Sequence, residues 1–401
     1  MVLQICISMI ARNTQGKLCN FKDFKLGVLT GPRQSGKTTL LRWLFPDFTY
    51  VTLDDPAIAM AANGNPQSFL ASLHLPAIID EVQYAPELFR AIKLFVDQKK
   101  EKGLLFLTGS QGFDLMKNVT ESLAGRAVLF ELNTLSFNEL QDYGKFARKR
   151  KLVEFHLIRG GFPALYENPK IEKHIWYSSY LGTYLERDVR NIAGVGDLGK
   201  FRNFLRSAAL RSGQLLNYSD LARDTGVSPN TAKSWISVLQ TSGIVALLEP
   251  WHGNVQKRMI KSPKLYFLDS GLLCYLLELD NFDDFMKSPG NGHIFETWVY
   301  GQIHRLHAEA GFPFRINFWQ NKNGKEIDFI LSKAGRFVGI EVKSREIIDS
   351  KETENFKYFA ASKQKFHHTC VIGWNSTEYQ LDKGTTVLPA WEISKVLEYL
   401  T

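Results

Sequence analysis

Short apolar runs alternate with helical patterns along residues 26–132. Five of these runs have the character of buried strands and cover Leu26–Leu29, Thr49–Asp55, Leu75–Gln83, Leu104–Ser110 and Ala127–Leu132. Apolar residues at helical spacing follow the first run, and a further helical pattern covers residues 86–100. Strands that alternate with helices predict a parallel sheet that is covered on both faces, with ligands at the carboxyl ends of its strands.

The loop after the first run carries a glycine-rich pattern. Gly31 and Gly36 bracket four residues, and Lys37 and Thr38 follow at the predicted start of a helix. Backbone N–H groups of such a loop surround phosphate oxygens, the lysine reaches the β- and γ-phosphates, and the hydroxyl binds Mg²⁺. The pattern predicts a P-loop, the alternative being a glycine turn that binds nothing. The predicted nucleotide-binding residues are Gly31, Pro32, Arg33, Gln34, Ser35, Gly36, Lys37, Thr38 and Thr39.

Polar residues near the later runs extend this predicted site. Asp80 ends the apolar part of the third run, where a carboxylate can hold Mg²⁺, and the adjacent Glu81 can polarise the attacking water. Ser110 ends the fourth run and is placed to bind and sense the γ-phosphate, with Thr108 as the second candidate. Arg126 precedes the fifth run and is a candidate arginine finger, in cis or on a neighbouring subunit, a structural salt bridge being the alternative.

The middle of the chain predicts a helical connector and then a helix-turn-helix. Gly226 marks the turn, and Ser228 with Pro229 marks the start of the second helix. Its apolar stripe consists of Ala232, Trp235, Ile236 and Leu239. The polar side of this helix and a basic wing predict DNA contacts by Asn230, Thr231, Lys233, Ser234, Lys257, Arg258 and Lys261, and Lys264 also suits phosphate contact. Winged helices also serve as plain interaction modules, which is the alternative.

Acidic residues in the last part of the chain form another set. Glu296 lies on a predicted helix, Asp328 on a predicted β-hairpin, and Glu341 with Lys343 on one face of the next strand. The carboxylates of Glu296, Asp328 and Glu341 would hold Mg²⁺, while Lys343 would activate water and steady phosphate charge. This order and the sequence EVKS resemble the PD-(D/E)xK nucleases, including archaeal Holliday-junction resolvases. The alternative is a set of strand-edge charges in an α/β domain.

The composition adds a location and a class of partner. A formal net charge of +8 and a pI of about 9.1 favour a polyanionic partner such as DNA. No apolar run reaches the length of a membrane-spanning helix, so we expect no membrane segment. The four cysteines show neither metal-binding nor disulfide spacing, which is typical of a reducing cytosol. We therefore expect a cytoplasmic protein.

Several segments together resemble a known family, namely GPRQSGKTTLL, IIDEVQYAPELFRAIKLFVD, LFLTGSQ, SLAGR and LSFNEL. They are similar to the AAA-type ATPases common in bacteria and archaea, in which a P-loop module is joined to a C-terminal region of unknown function. The resemblance covers nearly the whole chain. It implies that ATP is bound and hydrolysed, but it does not say what the hydrolysis acts upon.

These patterns predict an α/β protein of four parts. They are a P-loop, AAA-like parallel-sheet domain at 1–150, a helical connector at 151–215, a winged helix at 216–280 and a restriction-endonuclease-like domain at 281–401. The expected function is ATP-driven DNA processing with ATP and Mg²⁺ as cofactors. The alternatives are a non-cleaving nucleotide-dependent switch that binds DNA or a protein partner, and a transcriptional regulator. The sequence leaves homo-oligomerisation open.

Overall fold

A computed structural model of the chain describes residues 10–109, 122–144, 146–185, 197–252, 262–359 and 364–401. The chain forms two compact units. Unit 1 comprises Met1–Leu135, Phe162–Pro169 and Thr241–Gly243, and unit 2 comprises Ser136–Gly161, Lys170–Gln240 and Ile244–Thr401. The predicted first part, 1–150, therefore extends past the first segment of unit 1. The helix at Phe137–Asp142 belongs to unit 2 because the backbone N–H of Phe137 donates to Gln302 of that unit, at 2.8 Å.

Unit 1 is built from a five-stranded sheet and short helices. Its helices are α1 (Gln15–Cys19), α2 (Lys37–Leu44), α3 (Pro56–Gly64), α4 (Pro66–Ser72) and α5 (Leu88–Gln98), with further helical turns at Asn20–Asp23, Val82–Tyr84 and Ala164–Glu167. Its strands are β1 (Leu26–Thr30), β2 (Thr49–Thr52), β3 (Ala77–Asp80), β4 (Leu105–Thr108) and β5 (Ala127–Glu131).

The sheet of unit 1 is parallel throughout, with the strand order β2-β3-β4-β1-β5. Strand β4 lies between β1 and β3, because Leu107 is paired with Val28 on one side and with Ile79 on the other. The loops that follow β1, β3 and β4 therefore leave the sheet at the same edge. The predicted parallel sheet is confirmed.

Both faces of this sheet are buried, which explains why its strands are apolar runs rather than alternating patterns. Leu26 and Val28 of β1 point into one core cluster, together with residues of α3, α4 and α5. Leu29 points to the opposite face and packs with Leu40 and Leu41 of α2. The P-loop helix and the helices after β2 and β3 thus cover opposite sides of the sheet.

Strand β2 ends earlier than the sequence predicts. The predicted run reaches Asp55, whereas the strand ends at Thr52. Asp55 instead caps α3, since its carboxylate accepts the backbone N–H groups of Ala57 and Ile58 and Pro56 occupies the first turn. The capping residue and the proline stop the strand and start the helix.

Unit 2 contains two sheets and a larger set of helices. Its helices are α6 (Phe137–Asp142), α7 (Lys149–Arg159), α8 (Lys173–Tyr180), α9 (Leu198–Ala209), α10 (Tyr218–Thr225), α11 (Pro229–Thr241), α12 (Ser270–Leu276), α13 (Phe282–Lys287), α14 (Asn291–Glu309) and α15 (Glu354–Phe359), with other helical segments at Leu181–Leu185, Ser350–Thr353 and Ala390–Leu400. Among the residues that the structure describes, none of the helices has the length and apolar character needed to cross a membrane.

The smaller sheet is formed by short strands that alternate along the chain with α9, α10 and α11. Its strands β6 (Gln214–Leu215), β7 (Val245–Leu248) and β8 (Lys264–Phe267) are antiparallel in the order β6-β8-β7. Trp235 of α11 contacts Phe201 and Phe204 of α9 edge-on, with ring centroids 5.3 and 5.1 Å away. As predicted, Ser228 caps α11, because its hydroxyl accepts the N–H of Thr231 at 3.0 Å. This packing begins at α9, upstream of residue 216.

The larger sheet has six strands in the order β13-β14-β12-β11-β10-β9. Their bounds are β9 (Arg315–Gln320), β10 (Glu326–Lys333), β11 (Arg336–Val342), β12 (His368–Gly373), β13 (Tyr379–Asp382) and β14 (Thr385–Pro389). Strands β9, β10 and β11 form an antiparallel meander, and β12 and β14 add in parallel beyond β11. The predicted helix at Glu296 and the predicted hairpin at Asp328 are both confirmed.

Candidate nucleotide-binding site and acidic centre

The glycine-rich loop runs from the end of β1 into α2. Gly31 has φ +150°, and a Cβ at this position would meet the carbonyl oxygen of Leu132 at 2.1 Å. Gly36 immediately precedes α2 and has φ +91°, in the left-handed region that favours glycine. Arg12 supports the loop from outside the motif, because its guanidinium donates to the carbonyl oxygens of Ser35 and Asn133 at 2.9 and 2.6 Å.

Lys37 is buried at the start of α2, inside the curve of the loop. Its ammonium donates to the carbonyl oxygens of Gly31 and Pro32 at 3.0 and 2.9 Å. Burial lowers the pKa of Lys37 to about 8, although the nearby Glu81 and Asp80 carboxylates oppose this shift. Phosphate oxygens would be stronger acceptors for this ammonium than the two carbonyls.

Asp80 connects three elements at the carboxyl edge of the sheet. Its Oδ2 accepts hydrogen bonds from the hydroxyl of Thr38 at 2.7 Å and from that of Tyr50 at 2.8 Å. Burial, followed by the bond to Asp80, raises the pKa of Tyr50 to about 12. Thr38 and Asp80, both predicted Mg²⁺ ligands, are therefore in direct contact, and Tyr50 fixes the carboxylate from β2.

Glu81 follows Asp80 in an unusual backbone conformation, with φ +53°. Its N–H donates to Oδ1 of Asp80 at 3.0 Å, which ties the two acids together through the main chain. Its side chain accepts a short hydrogen bond from the amide of Gln83. A non-glycine residue in the left-handed region is characteristic of sites where a side chain must be aimed.

Two buried hydroxyls at this edge have no hydrogen-bond partner among the described residues. They belong to Ser35 in the loop and Thr108 at the end of β4. Thr108 lies between the loop strand and the Asp80 strand, which is the place predicted for a γ-phosphate sensor. Ser110, the first choice for that role, lies outside the described residues. The orphaned hydroxyls and the glycine cradle fit a bound nucleotide with its Mg²⁺.

Arg126 lies at the other edge of the sheet. Its carbonyl accepts the N–H of Leu26, at the amino end of β1, so its backbone is about 13 Å from the loop after Thr30. Its guanidinium donates twice to Asp97, at 2.7 Å each, and this ion pair lowers the pKa of the Asp97 carboxyl. This position does not support an arginine finger in cis; a role toward a neighbouring subunit stays a prediction.

Unit 2 contains an acidic centre, which we define as Glu296 of α14 with Glu326 and Asp328 of β10. One carboxylate oxygen from each lies within 4.8 Å of the others. Lys264 of β8 reaches into this centre, where its ammonium donates to Glu296 at 3.0 Å and to Glu326. The hydroxyl of Tyr266, two residues along the same strand, also donates to Glu296. The sequence suggested Lys264 for phosphate contact, but it is only 2% exposed and paired with acids.

The surroundings shift the pKa values of Asp328 and Glu296 in opposite directions. Burial raises the pKa of Asp328 well above its usual range, and the neighbouring Glu341 and Glu296 raise it further. Burial also acts on Glu296, but Lys264 and hydrogen bonds from His293 and Tyr266 lower its pKa to about 2. Glu296 is therefore an ionised partner for the ammonium, whereas the surroundings of Asp328 disfavour its charged form.

Glu341 and Lys343, which are predicted to act with Asp328, form an ion pair with each other. The Lys343 ammonium donates to Glu341 at 2.7 Å, and Asn355 approaches the other carboxylate oxygen at 3.4 Å. Asp328 accepts the backbone N–H of Val342 at 2.8 Å, which ties β10 to the end of β11 beside Glu341. The predicted group thus assembles, but Glu326 rather than Glu341 completes the closest set of three carboxylates.

The residues predicted to contact DNA are only partly described. Asn230, Lys233 and Ser234 are exposed on α11. Thr231 is half-buried, and its hydroxyl bonds to Ser228 at 2.8 Å. The remaining predicted DNA contacts, Lys257, Arg258 and Lys261, lie outside the described residues.

Sequence patterns overlooked several residues of these sites. Glu326 was within reach, since residues two apart on a strand share a face and Asp328 was already singled out. Lys264 and Tyr266 show the same alternation, but nothing local connects them to a helix that starts at residue 291. Tyr50 likewise has no motif of its own.

Comparisons with known proteins divide the chain into three successive matches. A model of an AAA domain matches residues 23–141, and two models of domains of unknown function match residues 150–283 and 291–393. Uncharacterized proteins of Mycobacterium tuberculosis and Mycobacterium bovis are each 32% identical over 318 residues, covering 79% of this chain and 69% of theirs. An uncharacterized protein of Methanocaldococcus jannaschii is 24% identical over 337 residues, covering 77% of this chain and 72% of its own.

Solved structures give weaker matches. The Walker-type ATPase of Pyrococcus abyssi is 16% identical with a TM-score of 0.46, covering 67% of this chain and 96% of that protein. AMPPCP-bound DnaA from Aquifex aeolicus is 14% identical with a TM-score of 0.28, covering 57% of this chain and 85% of that protein.

Proposed function

We propose that the ATP cycle of this chain controls an action on DNA. The chain belongs to the family of the two uncharacterized mycobacterial proteins and is an AAA-type P-loop ATPase. The observation that carries the ATP-hydrolysing part of this proposal is the convergence of Lys37, Thr38, Asp80 and Glu81 at one edge of a parallel sheet. Positioning and charge stabilisation at such an edge are what phosphoryl transfer to water requires.

Each residue of the nucleotide site has a separate task in this proposal. The loop N–H groups and Lys37 bind the β- and γ-phosphates, and the Lys37 ammonium leaves its two carbonyl partners to do so. Thr38 and Asp80 hold Mg²⁺, which supplies positive charge that offsets the charge of the phosphates. Glu81 orients the attacking water and accepts its proton, with Gln83 fixing the carboxylate. Thr108 contacts the γ-phosphate and distinguishes ATP from ADP.

The first test removes the phosphate-binding ammonium. Lys37→Ala is expected to weaken ATP binding by about tenfold or more, because a charge-assisted contact to phosphate is lost in a buried site. Binding is measured by calorimetry with a non-hydrolysable ATP analogue, and turnover by phosphate release. Lys93→Ala, at an exposed position of α5, is the matched control. Turnover by Lys37→Ala at the rate of the native chain would contradict the assignment.

A winged helix is our proposal for α9 to β8. The order α9, β6, α10, α11, β7, β8, with α11 packed on α9 and the three strands joined in an antiparallel sheet, supports it. Asn230, Lys233 and Ser234 lie on the exposed side of α11, opposite the stripe that packs on α9. This face would enter the major groove of DNA, and the net charge of +8 is compatible with a polyanion.

The DNA contact is tested at Lys233. Lys233→Ala is expected to weaken binding to all duplex sequences alike and to reduce the salt slope by about one, because one phosphate contact is lost. Fluorescence anisotropy over a series of salt concentrations, with and without ATP analogue, measures both quantities. Lys333→Ala removes another exposed positive charge, from β10, and is expected to change neither. An unchanged slope in Lys233→Ala would exclude this face as the contact.

A restriction-endonuclease-like fold is our proposal for residues 281–401. The order of α14, β9, β10, β11, α15 and β12, a helix, an antiparallel meander, a helix and a parallel strand, supports it. Mg²⁺ ligation by Glu296, Asp328 and Glu341 does not fit the residues as they stand, because Glu296 is bound to Lys264 and Glu341 to Lys343. We derive no cleavage step from this centre.

The occupied acidic centre favours a second candidate function, a nucleotide-dependent switch that binds DNA without cutting it. Branched, single-stranded and double-stranded DNA are then expected to stay intact with Mg²⁺ or Mn²⁺, in the presence and absence of ATP. The assay compares the native chain with Asp328→Ala. Cleavage by the native chain that is lost in Asp328→Ala would refute the switch and establish a nuclease.

A further inference from the structure

Lys264 stands out among the charged residues of unit 2 because it is almost completely buried and contacts acids on two elements outside its own sheet. Its side chain is 2% exposed, and its ammonium bonds to Glu296 of α14 and Glu326 of β10. The ring of Phe318 lies 5.6 Å from the same ammonium. A lysine is rarely buried to this degree unless its charge is fully compensated.

The Lys264 ammonium lies where three carboxylates come close together and a positive charge is needed. Oxygens of Glu296, Glu326 and Asp328 lie within 4.8 Å of one another, and such carboxylates are held together by a positive charge or by protons. We propose that the Lys264 ammonium is the resident cation of the acidic centre and excludes a divalent metal ion from it. The inference rests on the proposed nuclease-like fold, because that fold would place a metal ion among these acids.

Two contacts make this more than a stray ion pair. Tyr266 lies on the same face of β8 as Lys264 and donates to the same carboxylate of Glu296, so the strand approaches the centre with two donors. Glu326 is also held on its other side, where the amide of Gln320 donates to it at 3.0 Å. Tyr266 and Gln320 thus help to orient Glu296 and Glu326 toward the ammonium.

The consequence is a site whose cation is part of the chain. A divalent ion would have to displace an ammonium that cannot diffuse away, and would have to break the contact of Lys264 with two carboxylates at once. Such a centre can orient strands and helices, but it does not load metal from solution. Removing the ammonium while keeping the acids is expected to turn it into a metal-binding site.

Mn²⁺ binding to the full chain without nucleotide tests this inference, with the loss of the free Mn²⁺ signal in electron paramagnetic resonance as the readout. Lys264→Met, which keeps an apolar stem of similar length, is expected to gain about one Mn²⁺ site per chain that the native chain lacks. Lys264→Met combined with Asp328→Asn is expected to lose that site. Lys173→Met is the matched control, because Lys173 is another largely buried lysine and its partners are Asp280 and the carbonyl of Leu279. This variant is expected to gain no Mn²⁺ site.

Two results would overturn the inference. One is a folded Lys264→Met variant that binds no more Mn²⁺ than the native chain. The other is an Mn²⁺ site of the native chain that Asp328→Asn abolishes, and this comparison decides the matter even if Lys264→Met does not fold. Because neither measurement involves ATP turnover or DNA, a failure here is distinct from a failure of the proposed ATP-dependent action on DNA.

Discussion

Replacing Glu81 by glutamine is expected to slow ATP turnover by about 10²- to 10⁴-fold while ATP affinity stays close to that of the native chain. Glutamine keeps the size of the side chain and can still bond to Gln83, but it cannot accept the proton of the attacking water. The left-handed backbone at Glu81 and its N–H bond to Asp80 are unaffected by the change, so the loop and the Mg²⁺ ligands should stay in place.

Steady-state phosphate release and calorimetry with an ATP analogue together measure this prediction. The matched control is Glu87→Gln, an isosteric change at an exposed residue directly before α5, which should leave both quantities unchanged. A Glu81→Gln variant that binds ATP and hydrolyses it at the native rate would show that another group orients the water. A loss of ATP binding would instead point to a structural role for Glu81.

Asp269→Ala is expected to lower the free energy of unfolding of unit 2 by about 3–5 kcal/mol. The buried carboxylate accepts the hydroxyl of Tyr177 at 2.7 Å and the backbone N–H groups of Gly161 and Leu272 at 2.8 and 2.9 Å. The guanidinium of Arg305 is 4.0 Å away. Alanine would remove the shared acceptor of these three donors and the carboxylate that faces the buried guanidinium, which costs more than the loss of a single hydrogen bond.

Denaturant unfolding followed by tryptophan fluorescence measures this change. The signal reports mainly on unit 2, because Trp43 is the only tryptophan of the sequence that falls in unit 1. Asp197→Ala is the matched control. Asp197 is an exposed cap of α9 that accepts the N–H of Lys200 at 3.0 Å, so its loss should cost only about 1 kcal/mol. Equal effects of the two substitutions would mean that the contacts of Asp269 contribute no more than an ordinary cap.

The nucleotide site was predictable from the sequence where its chemistry is contiguous. The loop, Lys37 and Thr38 follow one another in the chain, and their function depends on local backbone geometry. Asp80 required a further step, since its bond to Thr38 spans 42 positions and depends on β3 and β1 sharing one edge of the sheet. A parallel sheet supplies that edge for every strand, so the end of an apolar run was enough to find it.

Residues that act across the fold escaped prediction. Arg12 precedes the first strand and reaches a loop carbonyl 23 positions later, in a segment without a recognisable motif. The basic wing predicts a phosphate contact for Lys264, but its strand turns that side chain toward α14. Such contacts depend on how the two sheets of unit 2 meet. The periodicity within a single strand or helix does not encode that arrangement. Strand β2 shows the opposite case, where an overlooked local signal at Asp55 and Pro56 shortened the element.

Lys264 connects strand β8 to two other elements, because its ammonium donates to Glu296 of α14 and to Glu326 of β10. Tyr266 strengthens the first of these points by donating to the same oxygen of Glu296. Backbone bonds between Trp251 and Phe318, at 2.6 Å, and between Phe318 and Glu249, at 3.3 Å, add a third point away from the first two. Three separate points of attachment restrict both the distance and the rotation between the two sheets of unit 2.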